Sequence, residues 1–277
     1  MNPVNKALWF IESHFAEPVG LDDIAGIAGV SRYHLTRVFH GALGQPIVRY
    51  LRGRRLTEAA RSLANGAPDI LGVALEAGYG SHEAFTRAFR EQFGVTPETV
   101  RAQRHTQNLN LVEPIAMEQN STVKLDRPRI VEGKALLIAG LNVRNGCANR
   151  ANIPGQWQSF APRIGHIPGQ VGRTAYGIVY NNDEEGNHDY ICGVEVSDFS
   201  KLPADLDRLR VPPQKYVVFA HAGHVSGIGS TWNAVWSKAM PESDYELADA
   251  PALERYNDDF DGRTGTGGIE LWIPIKA

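Results

Sequence analysis

Residues 78–97 read Gly-Tyr-Gly-Ser-His-Glu-Ala-Phe-Thr-Arg-Ala-Phe-Arg-Glu-Gln-Phe-Gly-Val-Thr-Pro. A turn of small residues comes first, and three phenylalanines then recur once per helical turn, which predicts an amphipathic helix with an aromatic inner face. Gly94 follows the last of them, as is typical of a helix end. Arg87 falls on the opposite face, so the stretch predicts a short helix that presents an arginine to solvent.

The same pattern occurs fifty residues upstream, where residues 31–39 read Ser-Arg-Tyr-His-Leu-Thr-Arg-Val-Phe. We call the predicted helix after Ser31 the first reader and the one after Ser81 the second reader. Two copies of one arginine-bearing helix favour a chain that reads two successive grooves of duplex DNA. The positions that match at this offset are Ser31 and Ser81, Leu35 and Phe85, Thr36 and Thr86, Arg37 and Arg87, Phe39 and Phe89, and Gly44 and Gly94.

Helical periodicity continues on both sides of the readers. Each reader follows a short helix and a tight turn, and this order is that of a helix-turn-helix. A longer helix joins the two motifs. The predicted helices besides the readers cover residues 3–16, 21–28, 46–64 and 70–77, and a closing helix opens at Thr96-Pro97.

This tandem resembles the AraC-type DNA-binding domain over residues 3–105, most specifically at Gly78–Pro97. The resemblance implies an all-α, homeodomain-like unit whose two readers enter adjacent major grooves. It also implies which side chains contact DNA: Arg32, Tyr33, Thr36 and Arg37 in the first reader, and His82, Glu83, Thr86 and Arg87 in the second.

Arg37 and Arg87 are the strongest of these predictions, because an arginine fork suits the O6 and N7 atoms of guanine. An intramolecular ion pair is the alternative for both. Tyr33 and Thr36 have a second interpretation as packing contacts to a sugar or a thymine methyl group. Glu83 either accepts from cytosine or points away from DNA.

Charge is distributed unevenly along the chain. Residues 1–107 carry a net +2 and the remainder carries −5, within a total of −3. Seven arginines and one acid, Glu58, lie between Arg32 and Arg61, which favours phosphate contacts over a merely solvated helix face.

Composition and isolated motifs narrow the function classes. The 277 residues include no apolar run of about 18, so neither a membrane span nor a membrane partner is expected. We expect a cytoplasmic location. Cys147 and Cys192 are expected to be reduced. His221 and His224 lack further ligands nearby, which predicts no metal site. The glycine-rich residues 262–268 lack the Lys-Ser/Thr of a phosphate loop, and no cofactor is predicted.

Periodicity changes after the first 107 residues. Residues 108–122 are polar and poorly periodic, which predicts a linker between domains at 1–107 and 123–277. In the second domain the apolar residues alternate with a period of two, which predicts strands, and two helices lie among them. The order β-α-β-β occurs twice. This pattern predicts an α+β fold with two helices on one antiparallel sheet.

The second domain resembles the GyrI-like effector-binding domain over residues 123–277. The motifs that carry the resemblance include Tyr190–Val196, Val211–Phe219, Leu253–Tyr256 and Ile269–Ile275, in this order. The resemblance implies a pocket for an apolar or cationic small molecule, with aromatic walls and a carboxylate at its base.

Glu254 is the first choice for that carboxylate and Glu195 the second, because both interrupt apolar strand sequence. The candidate walls are Tyr216, Trp236, Tyr256 and Trp272. Core packing is the alternative for each aromatic residue, and a solvent-facing position is the alternative for Glu254.

Together these features predict a sequence-specific transcription regulator that binds promoter DNA and a small-molecule effector, contacts RNA polymerase, and is not an enzyme. Two alternatives stay open for the second domain. It could act as a small hydrolase that uses Glu195 or Glu254 as a general base. It could also serve only for docking or dimerisation.

Overall fold

The computed structural model describes residues 2–116, 123–145, 152–183 and 187–276. The chain divides into two compact units. We call residues 2–115 the helical unit and residues 116–277 the sheet unit. Among the described residues, none of the helices combines the length and the apolar character that crossing a membrane requires.

The helical unit follows the predicted order of helices. The second reader is α6 and the first reader is α3, and both run for 12 residues. The bounds are α1 Pro3–His14, α2 Leu21–Ala28, α3 Arg32–Leu43, α4 Ile47–Ala64, α5 Ile70–Glu76, α6 His82–Phe93 and α7 Pro97–Gln103.

The two readers begin and end in the same way. The Ser31 hydroxyl accepts the backbone N–H of His34 at 3.2 Å, and Ser81 accepts that of Ala84 at 3.2 Å. Both helices end at a glycine in the left-handed conformation, Gly44 and Gly94, with φ of 69° and 75°. A side chain would be strained there. Local sequence therefore determines where each reader begins and ends.

Each reader is held by the core beneath it. Phe85 and Phe89 of α6 are fully buried in a cluster with residues of α4, α5 and α7. Leu35 and Phe39 of α3 are fully buried as well. Burying an aromatic ring contributes roughly 1.5–3 kcal/mol, so the apolar face fixes which polar face of each reader is presented outward.

Residues 108–115, which the sequence assigns to the linker, pack on the helical unit. We call this segment the strap. Leu109 and Leu111 are partly buried against the core of the second reader, and the Val112 N–H donates to Thr57 at 2.9 Å. The polar composition of this segment predicts a linker, because composition does not show that a few of its residues are anchored to the helices. Residues 117–122 of the predicted linker lie outside the described residues.

The sheet unit contains one antiparallel sheet of eight strands, in the order β1-β6-β8-β7-β3-β4-β2-β5. In the described part of this unit two α-helices accompany the sheet, as the sequence predicts. The bounds are β1 Arg129–Gly133, β2 Leu136–Asn145, α8 Ile153–Phe160, β3 Gln170–Tyr180, β4 His188–Val196, β5 Asp207–Val211, β6 Gln214–His221, α9 Ile228–Ala234, β7 Ala252–Tyr256 and β8 Ile269–Ile275.

The predicted order, β-α-β-β twice, leaves out two strands of the sheet. Strands β1 and β5 were not predicted, and each pairs across the two halves of the chain, β1 with β6 and β5 with β2. Both are five-residue edge strands with charged residues, so their alternation signal is weak. The second predicted helix is short, since α9 gives way to a π-helical turn at Val235–Ala239.

Register separates the side chains of the sheet onto two faces. Glu254 of β7 pairs with Leu271 of β8, and the neighbouring Leu253 pairs with Trp272. Because side chains alternate along a strand, Glu254 and Trp272 lie on opposite faces. Trp232 of α9 donates to Glu254, so this helix covers the Glu254 face.

Candidate functional site

The first reader presents a prearranged polar surface. Tyr33 is 71% exposed, and its hydroxyl accepts from Arg37 Nη1 at 2.7 Å. The Arg37 guanidinium also lies 5.5 Å from the centre of the Tyr33 ring. Arg32 pairs with Asp22 at 3.1 Å, and the Thr36 hydroxyl donates to the Arg32 carbonyl. Tyr33 thus restrains the arginine that the sequence places at the centre of this surface.

In the second reader the predicted side chains lie together. His82, Glu83, Thr86 and Arg87 line one surface depression, and Arg90 completes it. Arg90 was not predicted as a contact. Its position three residues after Arg87, on the same helix face, is the signal that could have identified it.

Local bonds orient the start of the second reader. His82 Nε2 lies 3.1 Å from Glu98 Oε1 of α7. Backbone and Ser81 hydrogen bonds keep the pKa of the exposed Glu83 carboxyl below its usual range. The Thr86 hydroxyl is buried with no hydrogen-bond partner among the described residues. Glu83 is therefore tied to the helix start while it lines the same depression as Arg87.

Among the described residues neither central arginine forms an ion pair, although the charge of Arg87, after the hydrogen bond from Arg52, helps to lower the pKa of the Glu91 carboxyl one turn further along α6. Arg37 donates to the Tyr33 hydroxyl, and no described carboxylate pairs with Arg37 or Arg87. Both guanidinium groups therefore keep donors for a phosphate or a base edge.

Four arginines of α4, within the stretch of residues 32–61 that the sequence predicts to contact phosphates, bond to groups of the protein itself. Arg54 is 3% exposed and bonds Glu12 through Nε at 3.0 and 3.1 Å, so the prediction of phosphate contact is wrong for it. Arg55 donates to three carbonyls of the α1–α2 loop, and Arg61 binds Glu58 and Glu113. Arg52 pairs with Glu91 of the second reader. All four bond to groups of the unit itself; Arg54 does so in the interior, whereas Arg52 stays exposed.

Glu254 of the sheet unit is buried and fully bonded. Its Oε1 accepts from Trp232 Nε1 at 2.7 Å, and its Oε2 accepts from the hydroxyls of Tyr190 at 2.8 Å and Tyr256 at 2.9 Å. Trp157 joins through its Nε1, which donates to the Tyr190 hydroxyl at 2.9 Å. We call these five residues the Glu254 cluster.

Burial dominates the electrostatics of this cluster. It raises the pKa of Glu254, while the hydrogen bonds from Trp232, Tyr190 and Tyr256 act in the opposite direction. Burial and the nearby carboxyl raise the pKa of both tyrosines, so they stay protonated donors. A buried carboxyl surrounded by ring faces is suited to an organic cation.

The other predicted effector residues do not join this cluster. Trp236 is 42% exposed and stacks on Trp232, with ring centres 6.0 Å apart. Tyr216 and Trp272 pack edge to face at 5.5 Å on the opposite face of the sheet, and Trp272 donates to Glu270. Glu195 binds Lys134 at 2.7 Å. Of the six residues, the structure brings together Glu254 and Tyr256, with Trp236 behind Trp232.

Sequence reasoning missed three members of the cluster, Trp157, Tyr190 and Trp232. Trp232 and Trp236 are one helical turn apart, and only the fold decides which of them faces the sheet. Gly177 was a possible signal, because a Cβ there would lie 2.2 Å from the Tyr190 hydroxyl oxygen and 2.6 Å from Glu254 Oε2. The strand residue beside the carboxylate must therefore lack a side chain.

Other reactive side chains have structural partners. His221 bonds Thr231 and the His224 carbonyl, and His224 bonds Ser226. No group of three or more metal-ligating residues occurs within the part of the chain that the structure describes. Burial raises the pKa of the free Cys192 thiol to about 12, which makes it unreactive. Cys147 lies outside the described residues.

Comparison with known proteins gives the same division of the chain. A family model described as a GyrI-like small molecule binding domain matches residues 126–276, and a helix-turn-helix domain model matches residues 24–103. The transcriptional regulator Rob of Salmonella typhimurium is 27% identical over 99% of this chain and 98% of its own length. The transcriptional regulator BrlR of Pseudomonas aeruginosa is 30% identical over 82% of this chain and 86% of its own length.

Among solved structures, SAV2435 bound to tetraphenylphosphonium is 20% identical, covers 55% of this chain and 94% of its own, and has a TM-score of 0.46. The chain belongs to the family of AraC-type transcriptional regulators that carry a GyrI-like small-molecule-binding domain. The helical unit contains the DNA-binding motif of this family, and the sheet unit is its effector domain.

Proposed function

We propose that the protein reads a specific promoter sequence through Arg37 and Arg87, and that an apolar or cationic molecule bound at the Glu254 cluster modulates this reading. The observation that carries the proposal is the second reader, where His82, Glu83, Thr86, Arg87 and Arg90 line one outward depression. Because its target is promoter DNA, we place the protein in the cytoplasm.

For the DNA contacts we assign different tasks to the side chains. Arg37 and Arg87, which have no described carboxylate partner, read base edges. Tyr33, Arg32 and His82 position the readers on the backbone, because their other bonds are exposed and exchangeable. Thr36 and Thr86 turn their hydroxyls inward, which supports apolar contact with DNA through their methyl groups.

Replacing Arg87 by Ala is expected to weaken binding to a preferred duplex by about 5- to 150-fold, since a bidentate arginine–guanine contact contributes about 1–3 kcal/mol. The duplex is selected from a random pool with the unmodified protein, and affinity is measured by mobility shift at fixed salt. Arg101→Ala in α7, which removes one charge outside the readers, is the matched control. Equal loss on selected and random duplexes would contradict base reading by Arg87.

For the effector, we propose entry beside α9. Trp232 donates a hydrogen bond to one oxygen of Glu254 and is half-buried. The exposed Trp236 stacks on the ring of Trp232. The helix that carries Trp232 has seven residues and continues as a π-helical turn, which is a weak arrangement. An incoming cation would replace the indole N–H at Glu254 and use the tryptophan faces as walls.

Binding without turnover is part of the proposal. A general base must be directed at a proton of its substrate, whereas Glu254 accepts hydrogen bonds from three donors of its own fold and Glu195 is paired with Lys134. Steady hydrolysis of ester or amide probes that is lost in Glu254→Gln would contradict it. A ligand-induced rise in melting temperature separates an effector domain from a module that only docks or dimerises.

RNA polymerase is the second macromolecular partner that we propose. Leu71 and Leu75 are 45% and 58% exposed, and they lie one turn apart on α5, outside the two readers. An exposed apolar pair on a promoter-bound protein suits a protein contact.

Changing both leucines to Ser is expected to leave DNA affinity unchanged and to reduce the regulated change in transcript at least about five-fold, the effect of losing roughly 1 kcal/mol of contact. The measurement is transcription with purified polymerase on the selected duplex. Val48→Ser, at another exposed apolar residue, serves as the control. Unaltered regulation in the double variant would remove α5 as the contact.

A further inference from the structure

We propose that the strap, residues 108–115, is a positioning element that braces the two readers against each other across α4. It would also be the segment through which the effector domain influences them. The proposal rests on DNA reading by the helical unit, and it adds a regulatory element that lies outside both readers and outside the Glu254 cluster.

The strap is bound first to the half of the unit that carries the first reader. Arg54 Nη1 donates to the Val112 carbonyl at 2.8 Å, and the Ile115 N–H donates to the Tyr50 hydroxyl oxygen at 3.0 Å. Tyr50 and Arg54 both bond Glu12 of α1 and are buried. The backbone of the strap therefore completes a buried polar network that connects α4 to α1.

The strap is bound also to the half that carries the second reader. Leu109 and Leu111 pack against the core that Phe85 and Phe89 of α6 help to form. Farther along, Glu113 accepts two hydrogen bonds from Arg61 at 2.7 Å each. Both bonds come from Arg61 Nη2, and charge-assisted bonds of this kind are stronger than neutral ones.

A close approach between strap and helix lies between these two sets of contacts. Gly53 of α4 has no side chain, and a Cβ at this position would lie 2.7 Å from Val112 Cγ2 and 3.2 Å from its Cβ. Glycine is an unfavourable residue inside a helix. Its presence in the middle of α4 is explained by the room that Val112 requires.

Apart from the strap, the readers are connected along the chain through α4, a helix of 18 residues, and the shorter α5. A single helix tolerates bending, and a shift of the readers changes whether both fit successive grooves, which lie about 34 Å apart. The strap adds a second connection that contacts both cores. Because the chain continues from Ile115 toward the effector domain, a change transmitted along it acts on this brace directly.

The test exploits Gly53. Gly53→Ala favours α4 as a helix yet clashes with Val112, and Gly53→Ala/Val112→Ala removes the closest contact, which is to Val112 Cγ2. We would measure hydrogen exchange of the Val112 and Ile115 amides in the full chain, and affinity for the selected duplex. Val112→Ala alone is the matched control, and circular dichroism reports whether each variant is folded.

We expect faster exchange and roughly ten-fold weaker DNA binding in Gly53→Ala, with both recovered in the double variant, a coupling of the size seen between contacting residues. Fast exchange with unchanged DNA affinity would overturn the proposal. So would unchanged exchange in Gly53→Ala, or a loss of affinity that the double variant does not recover. Failure of the unmodified protein to select any duplex would instead overturn the proposed function.

Discussion

Replacing Glu12 by Ala is expected to lower the free energy of unfolding of the helical unit by about 3–5 kcal/mol, the largest effect among the substitutions considered. Arg54 would remain buried at 3% exposure without the carboxylate that binds its Nε. Glu58 lies 3.3 Å from Arg54 Nη1 but is partly exposed, so it replaces only part of the lost interaction. The buried Tyr50 hydroxyl would lose its acceptor as well.

Urea denaturation, followed by the circular dichroism of the helical unit, measures this effect. Glu76→Ala, at an exposed acid at the end of α5, should change stability by less than about 0.5 kcal/mol. Glu12→Leu/Arg54→Met should recover much of the loss, because two apolar residues leave no buried charge unpaired. A loss below about 1 kcal/mol for Glu12→Ala would show that the pair is not essential to the unit.

Glu254→Gln is expected to have the second largest effect, a loss of about 2 kcal/mol or more in binding of an apolar organic cation such as a tetraalkylammonium ion. Glutamine keeps the shape of the side chain but removes the charge that attracts the cation. Burial raises the pKa of Glu254, so the carboxyl is neutral at low pH. Cation affinity of the unmodified protein should therefore increase as pH rises through that pKa, and Glu254→Gln should show no such increase.

Calorimetric titration between pH 5 and 8 provides the measurement. Glu195→Gln, at the carboxylate that pairs with Lys134, is the matched control and should bind like the unmodified protein. Equal binding of the cation by Glu254→Gln would exclude Glu254 as its counter-charge. No binding by the unmodified protein at any pH would contradict a cationic effector.

Sequence was most informative where local rules determine structure. The serine caps at Ser31 and Ser81 and the glycines at Gly44 and Gly94 occupy predicted positions, because caps and left-handed turns depend on residues within one helical turn. The family resemblance was carried by such segments. Consequently the helices, their order and the antiparallel class of the second domain were predicted.

Sequence was least informative about which residue of a given type is buried. Arg54 and Arg37 both occur in the same arginine-rich stretch of sequence. Arg54 is nevertheless buried in the helical unit, where it pairs with Glu12, a residue far away in sequence. In the sheet unit, Tyr190 and Trp232 meet Glu254 through strand register and helix packing, which local pattern does not contain. Tyr216 and Trp272, which the sequence analysis named as pocket walls instead, lie on the opposite face of the sheet because of the same strand register.

The bonds that Arg52, Arg54, Arg55 and Arg61 make within their own unit have a consequence for how the protein searches a chromosome. Nonspecific attraction to duplex DNA scales with the number of counterions that a protein displaces from phosphates. Cations already satisfied by acids and carbonyls of their own fold contribute little to that release. The protein would therefore hold random sequence weakly and leave it quickly, and residence at a promoter would depend on recognition of its bases.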